Sequence, residues 1–347
     1  MAQFTARPRG LLTLTDCLLT QAEEGDAHSL AAVTRRPGGG LVVSGAQSLQ
    51  LIEHLGNLGY KAPLLADRQK YKGKRRKRAS EPFDPNWISR QRRLGLPAIV
   101  PDAGYVAEAD LFGLRQVLQS SEAIPDAVAL LALANWWLYD AGLRLLIQEL
   151  RDTDVPVALV LEHRGDPLAV ARILHGVLAI LDAGVAMIML RCDVSALGLI
   201  AMGALAAAYG SKTSIRHLYP TSDDGGGGGG GKPKESALWP VGTALHYRDL
   251  LYDAVTASPE DPWWECACGI CSGDRLDRLG MASVEEVRQH NSASLLDLRD
   301  EMAALTSTER RHWWARRCRD ASLAHAAVSK GYVALQCPKA LELWRTA

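Results

Sequence analysis

The sequence predicts an α/β fold: a TIM-like (β/α)8 barrel followed by a small C-terminal metal-binding subdomain. Three observations carry this. Short apolar runs alternate with helical patterns, polar groups follow the runs, and three cysteines crowd into six residues at 266–271. Alternation of apolar runs with helical patterns is the signature of parallel strands joined by crossover helices. The runs lie at 11–15, 41–44, 63–66, 98–101, 127–133, 157–161, 186–190 and 213–215, and eight is the barrel number. Helical patterns stand between several of them, at 107–119, 137–151, 168–183 and 196–209. The first two runs also fit an N-terminal hairpin. The chain divides into a barrel over 1–260, carrying a glycine-rich flexible loop at 221–235, and a helical subdomain over 261–347.

Composition sets the outer bounds. At 347 residues the chain is too long for one minimal domain, since domains run to roughly 100–200 residues. Hydrophobic residues make up 48% and charged residues 22%, which allows a sizeable core and excludes global disorder. The longest apolar stretch, 176–190, is interrupted by Asp182 and stops at Arg191, so no membrane span is expected. The first residues reach the polar Thr13, Thr15 and Asp16 before a signal-peptide core forms, and the expected location is cytoplasmic. Seven consecutive glycines, Gly225 through Gly231, bury nothing and read as a linker. Because Lys232 is followed by Pro233, they do not form a phosphate loop.

The 39 basic and 39 acidic residues cancel, which excludes nucleic-acid binding driven by overall basicity but not by a local patch. Such a patch exists: Lys70, Lys72, Lys74, Arg75, Arg76, Lys77 and Arg78 fall within nine residues. It is either a solvated loop or a phosphate-contacting one, and Tyr71 is positioned to stack on a base. Arg310, Arg311, Arg316, Arg317 and Arg319 mark a second basic segment, with the same two readings.

In α/β barrels the active site is built at the carboxyl ends of the strands. Asp16, Ser44, Asp67, Asp102, Asn135, Glu162 with His163, Asp193, and Arg216 with His217 all stand at or just beyond apolar runs. Turns after strands attract such residues in any case. Several carboxylates among them nevertheless point to a polar pocket.

Cys266, Cys268 and Cys271 are three of only seven cysteines in the chain. Thiolates at this spacing wrap one Zn²⁺, and His290 is the leading fourth ligand. Four protein ligands leave no position open for water, so the site is structural. The alternatives are a disulfide, for which no oxidising compartment is indicated, and an iron–sulfur cluster drawing on Cys318 or Cys337.

Cys-x-Cys-x-x-Cys followed by His290-Asn291 and the helical Ser-Ala-Ser-Leu-Leu-Asp-Leu-Arg-Asp-Glu-Met resembles the zinc subdomain of the tRNA-guanine transglycosylase family, over about 266–302. The gap from Cys271 to His290 is shorter than in that family. A second likeness lies in Asp102-Ala103-Gly104-Tyr105, similar to the family's Asp-Ser-Gly-Gly-Phe, whose aspartate handles the proton of the exchanged base.

The resemblance implies a (β/α)8 barrel, structural zinc, and exchange of a guanine-like base, guanine or a 7-deazaguanine, in tRNA or DNA through an aspartate nucleophile. In the family that aspartate stands at a late strand end, whereas 212–220 here holds no carboxylate. Asp193, or failing it Asp67, is then the nucleophile and Asp102 the acid/base group. Tyr105 or Trp136 would stack on the base, Arg216 would contact a phosphate, and Lys74, Arg75 and Arg76 would track the backbone. The alternatives are a non-catalytic nucleic-acid-binding or partner subunit on the same scaffold, and a barrel hydrolase or lyase using Glu162 and His163. A homodimer is the base-rate expectation, with a heteromeric partner as the other possibility.

Overall fold

The computed structural model describes residues 9–221, 234–329 and 335–347. The glycine run Gly225–Gly231 falls outside them. The strands are β1 (Cys17–Glu23), β2 (Leu41–Ser44), β3 (Leu64–Asp67), β4 (Tyr105–Val106), β5 (Ala129–Leu133), β6 (Val157–Leu161), β7 (Met187–Cys192) and β8 (Ala206–Gly210), then β9 (Ser236–Trp239) and β10 (Ala244–Tyr247). The helices are α1 (Arg9–Leu12), α2 (Glu24–Thr34), α3 (Ser48–Asn57), α4 (Pro85–Arg93), α5 (Leu111–Glu122), α6 (Asp140–Arg151), α7 (Ala171–Asp182), α8 (Ala196–Ala201), α9 (Arg248–Ala257), α10 (Val284–Ala303), α11 (Ser307–Val328) and α12 (Lys339–Trp344).

The first eight strands form one parallel sheet in the order β3-β2-β1-β8-β7-β6-β5-β4, curled into an incomplete TIM-like barrel. Pairing of β1 with β8 joins the two halves, and the seam stays open between β3 and β4. The segment around Arg78 fills that opening: Tyr105 donates its N–H to Lys77 O, and Ala79 donates to Tyr105 O. Gly104 permits the approach, because a Cβ there would stand 2.2 Å from Arg78 O. Strands β5 and β6 are buried at every position, as parallel strands sandwiched between helices and a core must be.

Four readings of the sequence are corrected. Residues 98–101 make only an isolated bridge at Ile99, and the fourth strand is Tyr105–Val106, so Asp102 precedes it. Residues 11–15 are helix and turn; the first strand begins at Cys17, which leaves Asp16 at its amino end, ion-paired with Arg310. The helical pattern at 196–209 breaks after Ala201, and Ala206–Gly210 is the eighth strand. Thr213–Ile215 is a single 3-10 turn.

The core around the cysteines also draws on residues before 261. β9 and α9 contribute Ala237, Trp239, Leu251, Ala254 and Val255 to one core with the three cysteines, Leu276, Leu279 and Val287, and β10 pairs with β9. With β9 and α9 sharing its core, the small unit around the cysteines includes residues from Ser236 onward. α10 leaves it and enters the barrel core through Leu295, Leu296, Leu298 and Met302, followed by Trp314 of α11 and Trp344 of α12. Among the described residues no helix is long and apolar enough to cross a membrane.

Candidate metal centre and barrel mouth

The three cysteines sit on a tight knuckle. Cys266 donates its N–H to Asp274 O, Gly273 donates to Cys266 O, and Cys268 O accepts from both Cys271 N and Ser272 N. Ser272 and Gly273 have positive φ of 55° and 95°, and the latter conformation is one that glycine adopts without strain. Ser283 caps α10 by accepting from Glu286 N, which launches the helix so that His290 faces the knuckle.

His290 Nδ1 lies 3.7, 3.4 and 3.3 Å from the sulfurs of Cys266, Cys268 and Cys271. All four ligand atoms lie within 4.8 Å of one another, and all four residues are buried. The geometry suits a tetrahedral ion with sulfur ligands at about 2.3 Å and nitrogen at about 2.0 Å. His290 Nε2 donates to Leu238 O at 2.9 Å, which leaves Nδ1 free to ligate. Arg278 Nη1 stands 3.6 Å from Cys271 Sγ, opposite the excess negative charge of a three-thiolate site. The cluster can hold a metal ion and is compatible with zinc.

The candidate carboxylates fall into three separate networks, Asp67 and Asp193 at the carboxyl ends of β3 and β7 and Asp102 ahead of β4 rather than at a strand's carboxyl end. Asp67, at the end of β3, has no accessible surface. Its Oδ2 accepts from Gln21 Nε2 at 2.9 Å and from Tyr71 Oη at 2.6 Å, and its Oδ1 accepts from Gln69 N. Burial raises its pKa above the ordinary carboxylate value. Tyr71, expected to stack on a base, is fully buried below this network.

Asp102 anchors the seam. It accepts from Asp84 N at 2.8 Å and from Lys77 Nζ at 3.2 Å, while Arg68 Nη1 stands at 3.4 Å. Asp193, at the end of β7, is the most accessible of the three aspartates. It shares a cavity of about 160 Å³ with Asp166, Ser195, Thr243 and Lys339, and Arg216 Nη1 stands 3.8 Å from it. Burial, and then the charge of Asp193, pushes Asp166 up to about 7.

The residues expected to bind substrate separate as well. Tyr105 is buried, donates to Glu162 Oε2 at 2.5 Å, and has the Arg76 guanidinium 3.3 Å from its ring centroid. Its ring face is therefore covered. Arg76 itself pairs with Glu162 Oε1 at 2.5 Å. Arg216 is buried too, donating to Gly210 O and to Tyr209 Oη. Lys74 and Arg75 are exposed. His163 engages Gly165 through its Nδ1, while Glu162 is held by Arg76 and Tyr105.

The sequence reading missed Arg191 as a site residue. It is buried at the end of β7 with φ of +57°, and it donates from Nε to His217 O and from Nη2 to Ser214 O. Its Nη1 finds no protein partner, nor do Asn135 Oδ1, Ser211 Oγ and His217 Nε2, all at or beyond carboxyl strand ends. Burial and the Arg191 charge lower the His217 pKa to about 4, so the ring is neutral at pH 7. The only signal in the sequence was an arginine inside an otherwise apolar strand. Comparison of the chain with protein-family models, curated proteins and solved structures finds no match.

Proposed function

We propose that the protein is a divergent relative of the tRNA-guanine transglycosylases, exchanging a guanine or 7-deazaguanine base in tRNA or DNA. The observation that carries the reading is the pairing of a Cys3His site with a TIM-like barrel whose strand β3 ends at Asp67 and whose strand β7 is followed by Asp193. Cys266, Cys268, Cys271 and His290 would hold structural zinc, which would pin the small unit.

For the chemistry, Asp193 is the better nucleophile, since Asp67 has no surface to offer. Its carboxylate attacks C1′ as the C1′–N bond breaks, and the leaving base takes a proton from an acid group, in this reading Asp102. The incoming base returns that proton, forms the new C1′–N bond and releases Asp193.

The second reading is a non-catalytic subunit that binds nucleic acid or a partner chain. What favours it is that Asp102 is already held by two cations, and that β8 ends in Tyr209-Gly210 and is followed by Ser211, without a carboxylate. The deciding experiment looks on a denaturing gel for a covalent adduct with tRNA or duplex DNA. An adduct lost in Asp193→Asn supports base exchange. Binding without any adduct, unchanged in Asp102→Asn and Asp193→Asn, supports the subunit.

A further inference from the structure

The basic run is not a loose loop. Its backbone is closed by Lys77 N donating to Lys70 O at 2.8 Å, with turns at Lys72 N to Gln69 O and Arg76 N to Gly73 O. Three inward side chains fasten it to the barrel: Tyr71 on Asp67, Arg76 on Glu162 and Lys77 on Asp102. Fastening these three turns the others outward. Lys70, Lys72, Lys74, Arg75 and Arg78 are all exposed on the rim of the open seam. Of these, Lys72 lies 3.6 Å from Glu23. Holding like charges together in a fixed frame is unfavourable unless an anion relieves it.

We infer that the outer face of this loop, with Lys70, Arg75 and Arg78 as its core, is a binding surface for the phosphate backbone of a nucleic-acid strand. The inner cations, Arg76 and Lys77, serve instead to hold Glu162 and Asp102 in place.

The run favours nucleic acid over other anionic partners. Its one aromatic residue, Tyr71, is fully buried, so it presents no apolar side chain to insert into a lipid surface. The same absence removes the aromatic anchor on which protein interfaces depend. What remains is a row of cations, suited to a ligand whose charges repeat along a strand. The inference rests on the nucleic-acid reading above for the kind of ligand, but not on base exchange.

The test measures binding of a fluorescein-labelled single-stranded oligonucleotide to the full chain across a KCl series. It compares wild type, the triple variant Lys70→Gln/Arg75→Gln/Arg78→Gln, and Arg76→Gln. Each lost phosphate contact lowers the salt slope by about 0.7, so the triple variant should lose about 2 from the slope and bind roughly tenfold or more weakly near 0.1 M salt. Arg76→Gln should keep the wild-type slope. An unchanged slope in the triple variant overturns the inference, as does an equal loss in Arg76→Gln. Wild type that binds phosphatidylserine vesicles but no oligonucleotide overturns it too. A covalent adduct with an unchanged slope would leave base exchange standing without this surface. A reduced slope with no adduct would do the reverse.

Discussion

Gln21 shows what a single residue does at the centre of the barrel mouth. Its Nε2 donates to Ser44 Oγ and Asp67 Oδ2, and its Oε1 accepts from Arg191 N, so it ties β1 to β2, β3 and β7. Gln21→Leu keeps the volume but strips a donor from a fully buried carboxylate. We expect it to cost about 1–3 kcal/mol in denaturant unfolding, and a loss under 0.5 kcal/mol would show that Asp67 does not depend on this network. His246 and His325 set a different constraint. His325 Nδ1 donates to Ala321 O, so its Nε2 accepts from His246 Nε2 at 3.0 Å and both rings are neutral. Burial, then His325, lowers the His246 pKa to about 3. The unfolded chain binds protons from about pH 6.5 downward while the folded one does not. Stability contributed by this pair is therefore present above that pH and drains away toward pH 3. Asp166 runs the other way. Its folded pKa lies above the unfolded one, so its ionisation costs stability as pH rises toward and past 7. Asp166→Asn should gain on wild type at pH 8 and lose that advantage at pH 4, as followed by thermal melts at the two pH values.

Among the elements, β8 explains both a failure of sequence reading and a feature of the packing. Ala206-Ala207-Ala208 has the strongest helix propensity available, which is why 196–209 reads as one helix. The strand forms because β1 and β7 flank it and pair with it in register, Leu18 with Ala207 and Met189 with Ala207. All three alanines are fully buried, alternating between the two faces of the sheet. β1 was hidden for the opposite reason, since Thr20, Gln21 and Glu23 break its apolar run with groups that serve the mouth. The runs 41–44, 63–66, 127–133, 157–161 and 186–190 were legible, because strands covered on both faces are apolar throughout. Of the candidate site, the Cys3His cluster was readable, the cysteines from their spacing and His290 from its place in the helical pattern that follows them. The partition of the basic run into inner and outer cations was not, because it depends on Glu162 and Asp102 arriving from distant parts of the chain. α8 has six residues, and Trp314 and Trp344 cover it. A Cβ on Gly198 would stand 2.4 Å from Trp314 Nε1. Gly198→Ala should therefore destabilise by about 1–3 kcal/mol despite the better helix propensity of alanine. A neutral or stabilising result would mean that α11 and α12 do not rest on α8.

At the scale of the whole molecule, α10 makes the metal site and the barrel one mechanical system. Its first turns carry His290 toward the cysteines, while Asn291 accepts from Leu238 N and donates to Ser236 O, fixing β9. Its later turns place Leu295, Leu298 and Met302 in the barrel core. Arg288 pairs with Asp26 of α2 at 2.6 Å and with Glu235 at 2.7 Å, a second tie between the units. An ion held by the four residues would add the free energy of ligand closure to the small unit's own core of Trp239, Leu251, Trp264, Leu276 and Leu279. Removing the ion should therefore free the knuckle and β9 first, leaving the carboxyl half of α10 held by the barrel. Limited proteolysis of chelator-treated protein is expected to cut within 236–290 while a fragment containing 9–221 survives. Thermal unfolding should split from one transition into two, the lower one restored by adding Zn²⁺. Cys271→Ala should reproduce the chelated pattern without chelator. If the chelated protein keeps full resistance across 236–290, the four residues form a packed thiol cluster rather than a metal site. If instead the barrel fragment falls with it, α10 couples the two units so tightly that neither folds without the other.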